Sequence, residues 1–121
     1  MKNKINKFAK EKVLNFFSSL ADETRLKILI SIADEPKNVN DIHRFIGKDK
    51  MTLSAISHQL KQLEYLKMVV CKKQGKERLY ELSRDFCWCI LRDAFSQFDN
   101  NLKIKCKKCS EVKNSKRRKI K

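Results

Sequence analysis

A chain of 121 residues is the length of a single domain, and its 41% hydrophobic content supplies only a modest core. The formal net charge of +15 selects a polyanionic partner, nucleic acid or an anionic membrane surface, over a neutral one. No apolar run approaches the ~20 residues that cross a bilayer, and the Lys-rich start leads into a charged amphipathic stretch rather than a secretory core. A cytoplasmic, nucleoid-associated protein is therefore expected, and its five Cys, an odd number, are expected as reduced thiols.

Ile5, Phe8, Ala9, Val13, Phe16, Phe17 and Leu20 recur at helical spacing and predict a first amphipathic helix over 4–19. Asp22 is placed to cap a second helix, with Leu26, Leu29, Ile30 and Ala33 as its stripe and Pro36 as its stop. Asn40 is expected to cap a short third helix, with Val39, Ile42, Phe45 and Ile46 buried and Gly47 at its end. A fourth helix follows from about Thr52 to Leu66. It carries Leu53, Ile56, Leu60 and Leu63 on one face and Ser54, Ser57, His58 and Lys61 on another. Met68–Lys73 and Lys76–Leu82 predict a hairpin turning at Gln74-Gly75, where glycine supplies a positive φ. A fifth helix is expected over Arg84–Asn100, with Phe86, Ile90, Leu91, Ala94, Phe95 and Phe98 apolar. Residues 102–121 carry a net +9 against +6 for the rest, and are expected to be a disordered basic tail outside a folded domain of residues 1–101.

The order α-α-α-α-β-β-α, mainly helical with a small hairpin, describes a winged helix-turn-helix. Neither terminal helix has an evident partner in so small a body. A homodimer packed through Phe8, Phe16, Phe86, Ile90 and Phe95 is therefore expected. The fourth helix has the small and hydrogen-bonding side chains that let a backbone enter the major groove: Thr52, Ser54, Ala55, Ser57 and His58, with Gln59 and Lys61 toward the groove wall. The bland alternative is a solvated helix face. Lys72, Lys73, Gln74, Lys76 and Arg78 on the hairpin can reach phosphates or the minor groove, or simply protect an edge strand. The tail, with Lys116-Arg117-Arg118-Lys119, either adds affinity by counterion release or only solubilises.

Three stretches together resemble the ArsR/SmtB family of prokaryotic metal-responsive repressors: LADETRLKILISI from Leu20, LSAISHQLKQLEYLKMV from Leu53 and KKQGKERLYELS from Lys72. The resemblance runs from about Phe16 to Phe98. It implies a homodimer built on the first and last helices, a double-stranded operator with dyad symmetry, and an inducer, often a metal ion, that releases the DNA. The sequence departs from two metal sites of the family. A Cys-x-Cys pair at the start of the third helix is replaced by Asn38-Val39-Asn40. Asp and His ligands along the last helix are replaced by Arg84, Phe86, Gln97 and Asn100.

The thiols that remain are Cys71, Cys87, Cys89, Cys106 and Cys109. Cys106 and Cys109 have the C-x-x-C spacing that grips a soft ion, and Cys87 and Cys89 are candidates to complete a site for zinc or copper(I). On a helix, however, residues two apart diverge by ~200°. Burial as small hydrophobes is the competing reading for Cys87 and Cys89. His43 is expected at the surface. No catalytic set, phosphate loop or small-molecule substrate site is expected, because the C-x-x-C lacks the strand–helix setting of a thiol oxidoreductase. The amphipathic first helix would suit a membrane surface, but in the dimer reading its apolar stripe is already used, so no membrane partner is expected. The main alternative function is a nonspecific or architectural nucleic-acid binder without an inducer.

Overall fold

The computed structural model describes residues 3–104 and 106. Its elements are α1 (Lys7–Ala21), α2 (Glu23–Ser31), α3 (Val39–Ile46), α4 (Leu53–Tyr65), β1 (Val69–Gln74), β2 (Glu77–Leu82) and α5 (Cys89–Ser96), in the order expected from the sequence. Asn6 starts α1 by accepting a hydrogen bond from the Ala9 amide at 3.0 Å. Asp22 ends α1 and begins α2 without an intervening loop. Its backbone is extended (φ −86°, ψ 119°), and its carboxylate accepts from the Arg25 amide at 3.1 Å.

The third helix is capped by Asn38, not Asn40. Lys37 pairs with Tyr80 of β2 through reciprocal backbone hydrogen bonds of 3.0 and 2.8 Å. The chain therefore leaves Lys37 extended, and Asn38, the next residue, turns it into the helix by accepting from the Asp41 amide at 2.8 Å. Asn40 lies one residue inside the helix. Phe45 is also not buried as expected: it is 54% exposed, with the Lys37 ammonium 5.8 Å from its ring centre.

Gly47 follows α3 with φ +112°, a conformation that side chains resist, and a Cβ there would approach Lys50 Cγ to 3.0 Å. Gly47→Ala is expected to cost about 1–3 kcal/mol of stability, read as a lower urea midpoint at unchanged slope. His43 is half-buried rather than a surface residue. Its Nε2 lies 2.7 Å from the Met51 carbonyl, which ties α3 to the last residues before α4.

β1 and β2 pair antiparallel with Gln74 opposite Glu77, so the turn residues are Gly75 and Lys76 rather than Gln74-Gly75. Only Gly75 of this pair has positive φ (+65°), the pattern of a type II′ turn. The core lies where α2, α3, α4 and the hairpin meet, with Ile28, Leu29, Ile42, Ile56, Leu60 and Leu63 fully buried.

The last helix is shorter than the expected Arg84–Asn100. Ser83 Oγ accepts from the Asp85 amide at 3.0 Å, and the Trp88 indole donates to the Ser83 carbonyl at 2.8 Å, which closes 83–88 into a turn. Packing requires this turn. Phe86 and Trp88 both contact Phe16, at 5.1 and 5.7 Å between ring centres. Residues two apart on a helix could not both do so. Beyond α5 the chain returns to the body, where Ile104 and Cys106 are buried. Two residues of the expected tail, Ile104 and Cys106, thus pack against the fold. Cys109 and Lys116–Lys119 lie outside the described residues.

Candidate nucleic-acid interface and thiol cluster

Packing fixes the orientation of α4. Ile56, Leu60 and Leu63 are fully buried, while Ser54, His58 and Lys61 are exposed and Ala55 and Ser57 are half-buried. Leu53, expected on the buried face, is 41% exposed at the first turn. Thr52 is exposed and caps the helix by accepting from the Ala55 amide at 3.0 Å. No acidic side chain occupies the first turn, so no fixed carboxylate neutralises the positive end of the dipole. His58 Nε2 and Gln62 Nε2 lie 3.5 Å apart on the outer side.

Two braces hold α4 in place, and the sequence reading missed both. His43 supports its approach, as described above. Arg25 reaches from α2, donating through Nε to Gln59 Oε1 at 2.9 Å and through Nη1 to the fully buried Ser19 Oγ of α1 at 3.4 Å. Gln59, expected at the groove wall, is thus turned toward α2. Nothing in the periodicity of a single helix signals a bond spanning 34 residues. Arg25→Ala is expected to cost about 1.5–3 kcal/mol, because the bonds are charge-assisted and partly buried. Amide hydrogen exchange in α4 should quicken as well, whereas simple loss of a surface charge would leave it unchanged.

The hairpin carries its cations on two faces. Lys73 and Arg78 sit directly opposite each other in the register, on the face shared with Cys71 and Tyr80. Lys72 falls on the other face and pairs with Glu81 at 2.8 Å, so its charge is partly compensated. Lys72, Lys73, Gln74, Lys76 and Arg78 are all exposed. At the base of the hairpin, burial pushes the Tyr80 phenol above its ordinary 10.0, and the charge and hydrogen bonding of Cys71 add to the rise. Tyr80 thus serves as a neutral core group beside the Lys37 bridge.

The expected dimer residues divide. Phe16 is buried within the protomer and Phe86 stacks on it, so both belong to its own core. Phe8 and Ile90 are exposed at 69% and 46%, and Phe95 is half-buried. With Ile5, Leu14, Phe17 and Phe98 they leave α1 and the α5 end of the fold with large apolar side chains in solvent.

Cys87, Cys89 and Cys106 come together. Their sulfur atoms all lie within 4.8 Å of one another, and Cys106 Sγ donates to Cys87 Sγ at 3.8 Å. On one helix, Cys87 and Cys89 would diverge by ~200°. Cys87 precedes α5 in the 83–88 turn, which removes the obstacle. The donor set is all sulfur, the kind that holds zinc or copper(I) as thiolates. Cys71 lies apart on β1.

Four helices, a hairpin and a closing helix, with α3 and α4 joined by the short connection 47–52, define a winged helix-turn-helix protein. Residues 22–69 match the sequence profile described as bacterial regulatory protein, arsR family. That segment is thus similar to a family of bacterial regulatory proteins. It is 35% identical over 74 residues to the HTH-type transcriptional regulator NmtR of Mycobacterium tuberculosis, covering 61% of this chain and 59% of that protein. It is 29% identical over 82 residues to the HTH-type transcriptional regulator KmtR of the same organism, covering 68% and 61%. The match thus spans about three fifths of these relatives. The solution structure of apo-NmtR superposes with a TM-score of 0.63 at 28% identity, covering 85% of this chain and 87% of that one.

Proposed function

We propose that this chain is a sequence-specific, double-stranded DNA-binding transcriptional regulator that acts as a homodimer, with repression as its mode. The observation that carries the reading is α4. Ile56, Leu60 and Leu63 on its apolar side are fully buried, while Ser54 and His58 on its polar side stand in solvent. The hairpin supports it. Lys73 and Arg78 are like charges placed directly opposite, an arrangement unfavourable in isolation that a line of phosphates would offset. The exposed apolar side chains of α1 and α5 support pairing with a second copy, which would place two copies of α4 about one helical turn apart, ~34 Å. Names of the matched relatives, transcriptional regulators among them, agree with this reading.

The test is selection of duplexes from a genomic fragment library, followed by affinity measurements on selected and random duplexes at matched salt. Expected are a preference of about 10³-fold or more for the selected duplex and a dimer by sedimentation. Equal affinity for both duplexes would instead favour the nonspecific, architectural reading.

A further inference from the structure

We propose that Cys87, Cys89 and Cys106 form a three-thiolate site for a soft d10 cation, zinc(II) or copper(I), closed by the chain segment that returns after α5. The site stands independently of the DNA-binding reading. Metal–sulfur bonds of ~2.3 Å require sulfur–sulfur separations of about 3.8 Å in a tetrahedral site and about 4.0 Å in a trigonal one. The observed 3.8 Å between Cys87 and Cys106 already meets this, and the 4.8 Å bound on the whole group is within the reach of small side-chain rotations.

Packing of small apolar thiols would also bring sulfurs into contact, so proximity alone does not decide. Three further facts favour ligation. The sulfurs come from separate places in the chain: the turn before α5, the first residue of α5, and a segment beyond it. Cys89 and Cys106 are buried and Cys87 is half-buried, so an ion at their centre is largely shielded from water while a path through Cys87 remains. Either ion would leave the unit anionic, −1 with zinc and −2 with copper(I), and the sequence around Cys106 is cationic, with Lys103, Lys105, Lys107 and Lys108. The all-sulfur donor set excludes hard ions such as magnesium and calcium. Binding would release the thiol protons and fasten the returning segment to α5, so affinity should fall as pH falls.

The two ions differ in ligand number. Copper(I) is satisfied by three thiolates, whereas a closed zinc site takes four ligands, and Cys109, three residues beyond Cys106, is the sequence's candidate for the fourth. The experiment uses the full chain, reduced and metal-free, titrated anaerobically with zinc(II) in one arm and copper(I) in the other, each against a competing chelator. Expected is one equivalent bound per protomer, with near-ultraviolet thiolate-to-copper absorption in the copper arm. Cys106→Ser should weaken binding by at least about 100-fold, more than the loss of an outer partner would. Cys87→Ser and Cys89→Ser should do likewise, and Cys71→Ser should not.

Weakening by Cys109→Ser in the zinc arm supports the four-thiolate zinc form; indifference to it, with tight copper binding, supports the three-thiolate form. Circular dichroism checks each variant. If Cys89→Ser fails to fold, Cys106→Ser, at the end of the returning segment, carries the test. The proposal is overturned if the chelator strips both ions from the full chain, or if Cys106→Ser binds as tightly as the parent. It is equally overturned if the thiols form a Cys87–Cys106 disulfide under mild oxidation while neither ion is retained under reducing conditions.

Discussion

Trp88→Ala is expected to lower stability by about 3–5 kcal/mol, the cost of truncating a large buried aromatic side chain. The indole is 2% exposed, packs within 5.8 Å of Phe86 and 5.7 Å of Phe16 between ring centres, and donates to the Ser83 carbonyl at 2.8 Å. Ser83 in turn donates from its amide to Met68, whose own amide bonds to Leu63 near the end of α4, both at 3.0 Å. Trp88 therefore fills space and also secures the turn on which the start of α5 and the position of Cys87 depend. Trp88→Phe separates the two contributions. It keeps an aromatic ring but removes the indole donor, and should cost about 1–3 kcal/mol for the carbonyl left unsatisfied. Urea denaturation of the two variants beside the parent checks the order. Equal losses would mean that the hydrogen bond, rather than the packing, holds the turn.

The parts legible in the sequence are those with local causes. Asp22 and Thr52 act within a few residues of themselves, and the α4 pattern of Ile56, Leu60 and Leu63 matches its buried face. What was not legible depends on distant partners. Asn38 and Asn40 are equally good caps by composition, and the Lys37–Tyr80 bridge, a pairing across 43 residues of sequence, decides between them. The apolar residues of 84–88 read as a continuation of the α5 pattern, but they alternate instead. Phe86 and Trp88 serve the ring stack, while Cys87 and Cys89 serve the thiol cluster. A helical period and a twofold period cannot be told apart in a run where every residue from Phe86 to Leu91 is apolar. Arg25, Ser19 and Gln59 form a link among three helices, and no single window contains it. Ile104 and Cys106 were hidden by composition: a charged neighbourhood masks two apolar anchors.

Ser54→Glu is expected to move stability and DNA affinity in opposite directions, and that divergence distinguishes a DNA-reading helix from a merely solvated one. Ser54 is the second residue of α4, exposed, in a first turn without an acidic residue. A carboxylate there meets the positive end of the helix dipole and should leave the fold unchanged or stabilise it by about 0.3–1 kcal/mol. In a groove, the same carboxylate faces phosphates and acceptor-rich base edges and removes a small side chain that permits close approach. The expected loss is about 1–3 kcal/mol per half-site. With two copies of α4 on one operator, affinity should fall by roughly 30-fold or more. Ser54→Ala should change both quantities far less, since it retains the small volume and adds no charge. Fluorescence anisotropy on the selected duplex, paired with urea denaturation of the same preparations, reads both axes. If Ser54→Glu binds the selected duplex as tightly as the parent, α4 does not enter the groove. The DNA contact would then have to be sought on the hairpin, where Lys73→Glu and Arg78→Glu are the next variants to measure.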